Sequence, residues 1–225
     1  QIRLGDISVG VAGGMESASN VPYILSEARW GFRMGEKAVA DVLHKDGFLC
    51  PLAGMLMGAT AEVLAEEAGI SRAEQDEYAC GSHQKASRAI AEGWFKDETV
   101  PVVLKDKKKG EIVVDVDEIP RADTSMEALA KLPVIFRKDG TITAGSSSAL
   151  CDAGSAGVIA DSDWAKAHGL KPLAEIVGYA SGALDALHMG LGPTIAMPKA
   201  LERSGLTLED MDLIEINEAF SAQIL

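Results

Sequence analysis

The 225-residue chain carries 34 acidic against 21 basic side chains, a formal charge of −13, and is 47% hydrophobic. That is apolar material enough for one large domain or one and a half, while the acidic balance excludes nonspecific attraction to nucleic acid or to an anionic membrane surface. No apolar run reaches the ~18 residues that span a bilayer, no signal-peptide pattern opens the chain, and Cys50, Cys80 and Cys151 lack CxxC spacing or an even count. The expectation is therefore a soluble protein of a reducing compartment, taken as the cytoplasm, with no disulfide framework and no metal site.

Residues 2–5 read as a helix tail closed by Gly5, and residues 6–12 set Ile7, Val9 and Val11 between small partners, as a buried strand does. Gly13 and Gly14 end that strand, by a turn or by close approach to a neighbouring backbone. Residues 24–57 mix aromatics, glycines and charges with no sustained period, which predicts long excursions with short helical pieces. A short helix runs from Met57 to a closing Gly69. Ser71 and Glu74 form a capping box for the clearest helix of the chain, with Ala79, Ser82, Ala86, Ala89 and Ile90 at helical spacing up to Trp94. Cys80 and His83 fall near one another on it, a candidate metal or catalytic pair without a further ligand in view.

Residues 100–104 and 111–116 predict a hairpin around the basic turn 105–110, whose lysines read as a solvated turn or as a phosphate contact. A small helix over 125–132 stops at Pro133. Residues 141–150, TITAGSSSAL, are a short strand breaking at Gly145 into three serines. Residues 157–160 predict a buried strand and 162–168 a short helix closed by Gly169; Pro172 marks a crossing into a second unit, whose first strand is 173–179. A glycine-rich loop with His188 and Met189 leads through Gly192 and Pro193 into a helix over 194–204. After Gly205, the stretch 212–220, DLIEINEAF, predicts a buried strand at Leu213, Ile214 and Ile216 that runs into a helix start. Strand, helix, strand at this spacing is a βαβ unit with a right-handed crossover. Asn217 sits at the last joint, either capping the helix or aiming its amide at a ligand crevice, where it orients a water or donates to a carbonyl oxygen gaining negative charge.

Three segments, GGMESASNVPY at 13–23, TITAGSSSAL at 141–150, and Asn217-Glu218-Ala219-Phe220 followed by Ser221-Ala222-Gln223, resemble in this order the thiolases, acyltransferases that make or cleave β-ketoacyl-coenzyme A. The resemblance implies an α/β fold of the layered α/β/α/β/α type, present in part. Residues 1–20 would end an N-terminal α/β unit, 21–140 form an inserted loop domain, 141–170 return to the first unit, and 171–225 open a C-terminal one. It also implies coenzyme A thioesters as substrates, no metal or redox cofactor, and a homodimer or homotetramer in which the loop segment covers the active site.

By matched position the resemblance assigns Asn217 to the oxyanion-hole water, Ser148 to the pantetheine arm, and Arg121 to the nucleotide end of coenzyme A, where a fixed cation suits a phosphate. It places Met57 and Met189 at the acyl pocket and counts Phe220 among the substrate-binding residues; taken alone, Met57 reads as core packing and Arg121 as a surface residue. Ser146 stands where asparagine is common, and Leu56 where biosynthetic members often carry histidine, which favours a broader or degradative acyl range. The nucleophilic cysteine that this chemistry requires lies upstream in the family, and the base histidine and second cysteine lie downstream. The chain therefore reads as an internal fragment, inactive by itself. Two rivals remain: a noncatalytic thioester-binding or assembly protein on the same fold, and a hydrolase built on Cys151 or Ser148.

Overall fold

The computed structural model describes residues 1–225. In chain order its main elements are β1 (Val9–Ser17), α1 (Met57–Ala68), α2 (Arg72–Glu92), β2 (Val102–Asp106), β3 (Gly110–Val114), α3 (Met126–Ala130), β4 (Asp152–Ala160), α4 (Ser162–Ala167), α5 (Gly192–Ser204) and α6 (Ser221–Ile224). Residues 24–57 hold only short pieces, among them a 3-10 turn at Ala28–Trp30 and a wide π-type turn at Leu43–Phe48, as their lack of periodicity predicts. The chain divides into two units: Gln1–Leu49 with Leu150–Leu184 and Gly192–Ile214, and Cys50–Ala149 with Asp185–Leu191 and Glu215–Leu225.

In the first unit β1 pairs antiparallel with β4 over nine residues, Val9 opposite Ala160 and Ser17 opposite Asp152. This corrects two expected boundaries. The first strand does not stop at the glycines, and the strand expected at 157–160 starts at Asp152. The cause is the spacing of the two backbones: a Cβ on Gly13 would collide with the Ser155 carbonyl oxygen and stand 2.9 Å from Ala156 Cα. Gly13 is needed for close approach, not for a turn. At the far end Asp152 accepts the Ser19 N–H at 2.9 Å and the Ser17 hydroxyl at 3.1 Å, and these bonds, the Ser19 backbone first, hold its carboxyl below the usual range. Neither strand is buried as expected; Val11 and Val158 are 78% and 72% exposed.

Asp161 caps α4 by accepting the Asp163 and Trp164 N–H groups, both at 3.0 Å, and Gly169 closes it with φ 66°. Pro193 falls in the first turn of α5, where its missing N–H costs nothing. Residues 178–182 lie along that helix. A Cβ on Gly178 would strike the Ser204 hydroxyl, one on Gly182 would come within 2.8 Å of Ile195 Cγ2, and Arg203 donates to the Tyr179 carbonyl at 3.1 Å. The expected strands at 173–179 and 213–216 nevertheless do not form, and Leu173 and Leu213 are exposed. A strand exists only through the ladder that satisfies its N–H and C=O groups, and neither stretch pairs with a strand within residues 1–225. The βαβ pairing expected there is thus not made.

The second unit is built on α1 and α2. Gly58, Ala61, Glu62 and Ala65 form one buried stripe of α1, at the i, i+3, i+4, i+7 spacing of a helix face. Ala61 and Ala65 pack with Ile142 and Ala222, flanked by Phe136 and Phe220, and the Phe136 ring occupies the space that a side chain on Gly58 would need. The capping box starts α2 as predicted: the Glu74 N–H donates to Ser71 Oγ at 3.3 Å and the Ser71 N–H to Glu74 Oε2 at 2.7 Å. Ala79 and Cys80 of α2 pack on Leu129 of α3. Arg72 ties the same helices, holding Asp76 at 2.8 Å and donating to the Leu129 and Leu132 carbonyls. The hairpin β2–β3 forms where expected, its turn closed by Asp106 accepting the Lys108 and Lys109 N–H groups.

Candidate functional site

A buried carboxylate organises the serine-rich turn. Glu62, 1% exposed, accepts the Thr141 N–H on both oxygens (3.0 and 2.8 Å), the Ile142 N–H at 2.9 Å and the Thr141 hydroxyl at 3.2 Å. Gln75 of α2 donates to the same hydroxyl at 2.9 Å. Glycine at 140 is required here, because the Glu62 carboxylate fills the space of its Cβ. From that anchor the chain turns through Ala144–Ser146. Thr143 Oγ1 accepts the Gly145 N–H at 3.1 Å, Ser146 Oγ accepts the Thr143 N–H at 3.0 Å, and the Ser147 hydroxyl donates to the Thr143 carbonyl at 2.7 Å. The buried Ser146, standing where asparagine is common in the resembled family, serves this turn.

Leaving the turn, Ser147 forms an isolated antiparallel bridge with Phe220, and the Ser148 N–H donates to the Ala219 carbonyl at 2.9 Å. Asn217 is two residues from Ala219, at most ~7 Å along the chain. The serine turn and the Asn217 segment are therefore neighbouring backbones, with Ser148 and Asn217 both exposed. One detail is corrected: α6 begins at Ser221 with Phe220 as its N-cap, so Asn217 lies four residues ahead of the helix and does not cap it. Tetrahedral oxyanion stabilisation requires a donor free to face the reacting atom; the Asn217 side chain is exposed beside this turn.

The residue after Asn217 is tied to α2. Tyr78 donates its hydroxyl to Glu218 Oε1 at 2.7 Å and Ser82 to Glu218 Oε2 at 2.6 Å. Burial first, then the hydrogen bond to Glu218 and its negative charge, push the Tyr78 phenol up to about 12. It stays protonated, and hence a donor, at any physiological pH.

The other predicted residues are distributed along the same unit. Phe220 is half-buried, edge-on to Phe136 with ring centroids 5.8 Å apart. Met57 is the first residue of α1 and is half-buried. Met189 lies in a 3-10 segment, Ala186–Leu191, that packs on α1: a Cβ on Gly190 would stand 2.6 Å from Leu64 Cδ1, and His188 Nε2 lies 3.1 Å from Glu67. Leu64 lies about 10 Å along α1 from Met57. Arg121 is exposed, and its N–H donates to His83 Nδ1 at 3.2 Å. Cys80 directs its thiol at the Thr124 carbonyl, 3.8 Å away. The Cys80 and His83 pair thus grips the 121–124 segment, and no three potential ligands gather around either. Cys151 is exposed beside Ala18, Ser19 and Asp152 in the first unit.

Sequence reasoning missed Glu62, Gln75 and the Tyr78–Ser82–Glu218 cluster. The signal for Glu62 was present, since it falls on the apolar stripe 58–61–62–65, where a charge demands a partner. Tyr78 and Ser82 are spaced i, i+4 on one face of a helix; what they share is visible only in three dimensions.

Residues 1–163 match the family model described as "Thiolase, N-terminal domain" and residues 170–225 the one described as "Thiolase, C-terminal domain". An acetyl-CoA acetyltransferase of Pseudomonas aeruginosa is 47% identical over 224 residues, covering 100% of this chain and 57% of its own. The beta-ketothiolase BktB of Cupriavidus necator is 47% identical over 227 residues, covering 99% and 56%. Among solved structures, the acetyl-CoA acetyltransferase of Bacillus anthracis superposes with a TM-score of 0.95 at 47% identity, over 100% of this chain and 56% of that one. Human mitochondrial 3-ketoacyl-CoA thiolase gives 0.93 at 41% identity, over 99% and 56%. The mixed α/β fold is that of these structures. The chain spans just over half the length of the curated relatives it matches.

Proposed function

The chain belongs to the thiolase family, and from that premise we propose that the full-length protein transfers an acyl group between coenzyme A thioesters. The reaction makes or cleaves a β-ketoacyl-coenzyme A through a covalent acyl-cysteine. The observation that carries this reading is the bond from the Ser148 N–H to the Ala219 carbonyl, which sets the serine turn beside the Asn217 segment. The exposed Asn217 amide holds the water that donates to the thioester oxyanion, a contact worth more as charge develops than in the ground state. The Ser148 hydroxyl meets the pantetheine arm, Arg121 the phosphates at the nucleotide end, and Met57 and Met189 the acyl end, with Phe220 among the substrate-binding residues. No metal or redox cofactor enters. The nucleophilic cysteine, the base histidine and the proton-moving second cysteine come from outside these 225 residues; none of Cys50, Cys80 and Cys151 stands at the start of a helix, a setting that activates a nucleophilic thiol. The working form is a homodimer or homotetramer, in the cytoplasm; no helix is long and apolar enough to cross a membrane.

The test is thiolysis of acetoacetyl-coenzyme A by the full-length protein. Asn217→Ala should lower kcat about 100-fold, the scale for losing one oxyanion donor, and an acyl-enzyme trapped with the substrate should carry its adduct on a cysteine outside residues 1–225. An adduct on Cys151 or Ser148, or an unchanged kcat, overturns the reading.

A further inference from the structure

Asn217 can act only if its amide points the same way at every turnover, yet its own side chain is exposed and the residues before it belong to no ladder. The three residues after it are each fixed. Glu218 is held by α2, Ala219 accepts the Ser148 N–H at 2.9 Å, and the Phe220 ring stands edge-on to Phe136. Of these ties, the one at Glu218 adjoins Asn217 directly. It is also the strongest: two hydroxyl-to-carboxylate bonds of 2.7 and 2.6 Å, in the range of charge-assisted hydrogen bonds, occupy both oxygens of one carboxylate. Their donors sit one helical turn apart on α2, a 21-residue helix anchored by its capping box and by Arg72. A side chain gripped at both ends of its carboxylate cannot swing, so the peptide joining it to residue 217 is held as well.

We infer that Tyr78 and Ser82 are positioning residues that set the Asn217 amide through the carboxylate of Glu218. The inference rests on the oxyanion role proposed for Asn217 and deepens it. A rigid helix, remote in sequence from the reacting atoms, carries the alignment that an exposed segment cannot supply for itself. The raised pKa of Tyr78 agrees with this arrangement, since the phenol remains the donor the geometry requires. Neither hydroxyl touches substrate.

A double-mutant cycle in the full-length protein, assayed by acetoacetyl-coenzyme A thiolysis, tests it. In the wild-type background the paired change Tyr78→Phe with Ser82→Ala should lower kcat ten- to fiftyfold and leave KM within twofold, because orientation at the reacting centre is lost while the binding surface stays. Each single change, retaining one of the two bonds, should fall in between. In the Asn217→Ala background the paired change should cost less than twofold further, since there is no amide left to misalign; residues that act as a unit are non-additive in this way. Should the paired variant fold poorly, Ser82→Ala alone runs the same cycle. An equal loss in both backgrounds, the mark of a merely structural contact, overturns the inference, as does no loss in the wild type. If Asn217→Ala itself leaves kcat unchanged, the reading of Asn217 fails first and this inference falls with it.

Discussion

Glu62 is the residue on which the serine turn depends, because its carboxylate receives two backbone N–H groups and a hydroxyl in a site 1% exposed. Glutamine in its place keeps the shape but offers one acceptor oxygen, and the donors facing its NH₂ lose their partner. Leaving buried donors unsatisfied costs about 2 kcal/mol, so Glu62→Gln should lower the urea midpoint by that equivalent; a loss below about 0.5 kcal/mol would count against the bond pattern. Tyr78 gives a second prediction, with its sign fixed by the direction of its shift. The folded phenol is raised from 10.0 to about 12, so the fold favours the protonated form. Its contribution to stability is complete below pH 10 and fades as the pH climbs toward 12. Wild type should therefore lose more stability than Tyr78→Phe between about pH 9 and 11.5 in urea titrations; equal losses would sink the claim. Both residues show the limit of sequence reading at this scale. Helical spacing marks Glu62 as buried but names no partner, and the partners of Tyr78 and Glu62 stand 140 and 79 residues away.

At the scale of elements, what is local in the chain was legible. The Ser71–Glu74 capping box and the left-handed glycines closing helices at Gly69, Gly169 and Gly205 are all encoded within a few residues, as is the β2–β3 hairpin. Ser71→Ala should cost α2 about 1 kcal/mol in thermal or urea unfolding. What depended on distant partners was not legible. The glycines of β1 read as a stop because close approach to β4 involves a strand some 140 residues on. The stretches 173–179 and 213–216 have the apolar period of strands but pair with no strand in residues 1–225. The seat of Phe136 against α1 is a further nonlocal fit. Gly58→Ala inserts a methyl group into the ring's position, an overpacking that costs about 1–3 kcal/mol. Wild-type stability in that variant would mean that the ring is not seated there.

The accessible area of the whole molecule connects these local facts. A globular monomer of 23.6 kDa exposes about 9,800 Å², and even two separate halves of that mass about 11,800 Å², whereas this chain exposes 17106 Å². Part of the excess is apolar and lies on the β1–β4 pair and on the unpaired stretches 173–179 and 213–216: Val11, Met15, Val158, Leu173 and Leu213 are all more than 70% exposed. Exposed apolar strands with open edges recruit other chains. The opposing term is the charge of −13, which keeps copies apart but is screened within about 8 Å at physiological ionic strength, while apolar burial acts at contact and is not screened. Adding salt should therefore tip the balance. The 225-residue chain produced alone should bind a hydrophobic dye and sediment as increasingly large species between about 10 and 500 mM salt, with the full-length protein binding much less dye per mole. If instead the isolated chain sediments as a salt-independent monomer without dye binding, then these apolar segments fold onto one another in solution, and the stretches 173–179 and 213–216 do not rest unpaired.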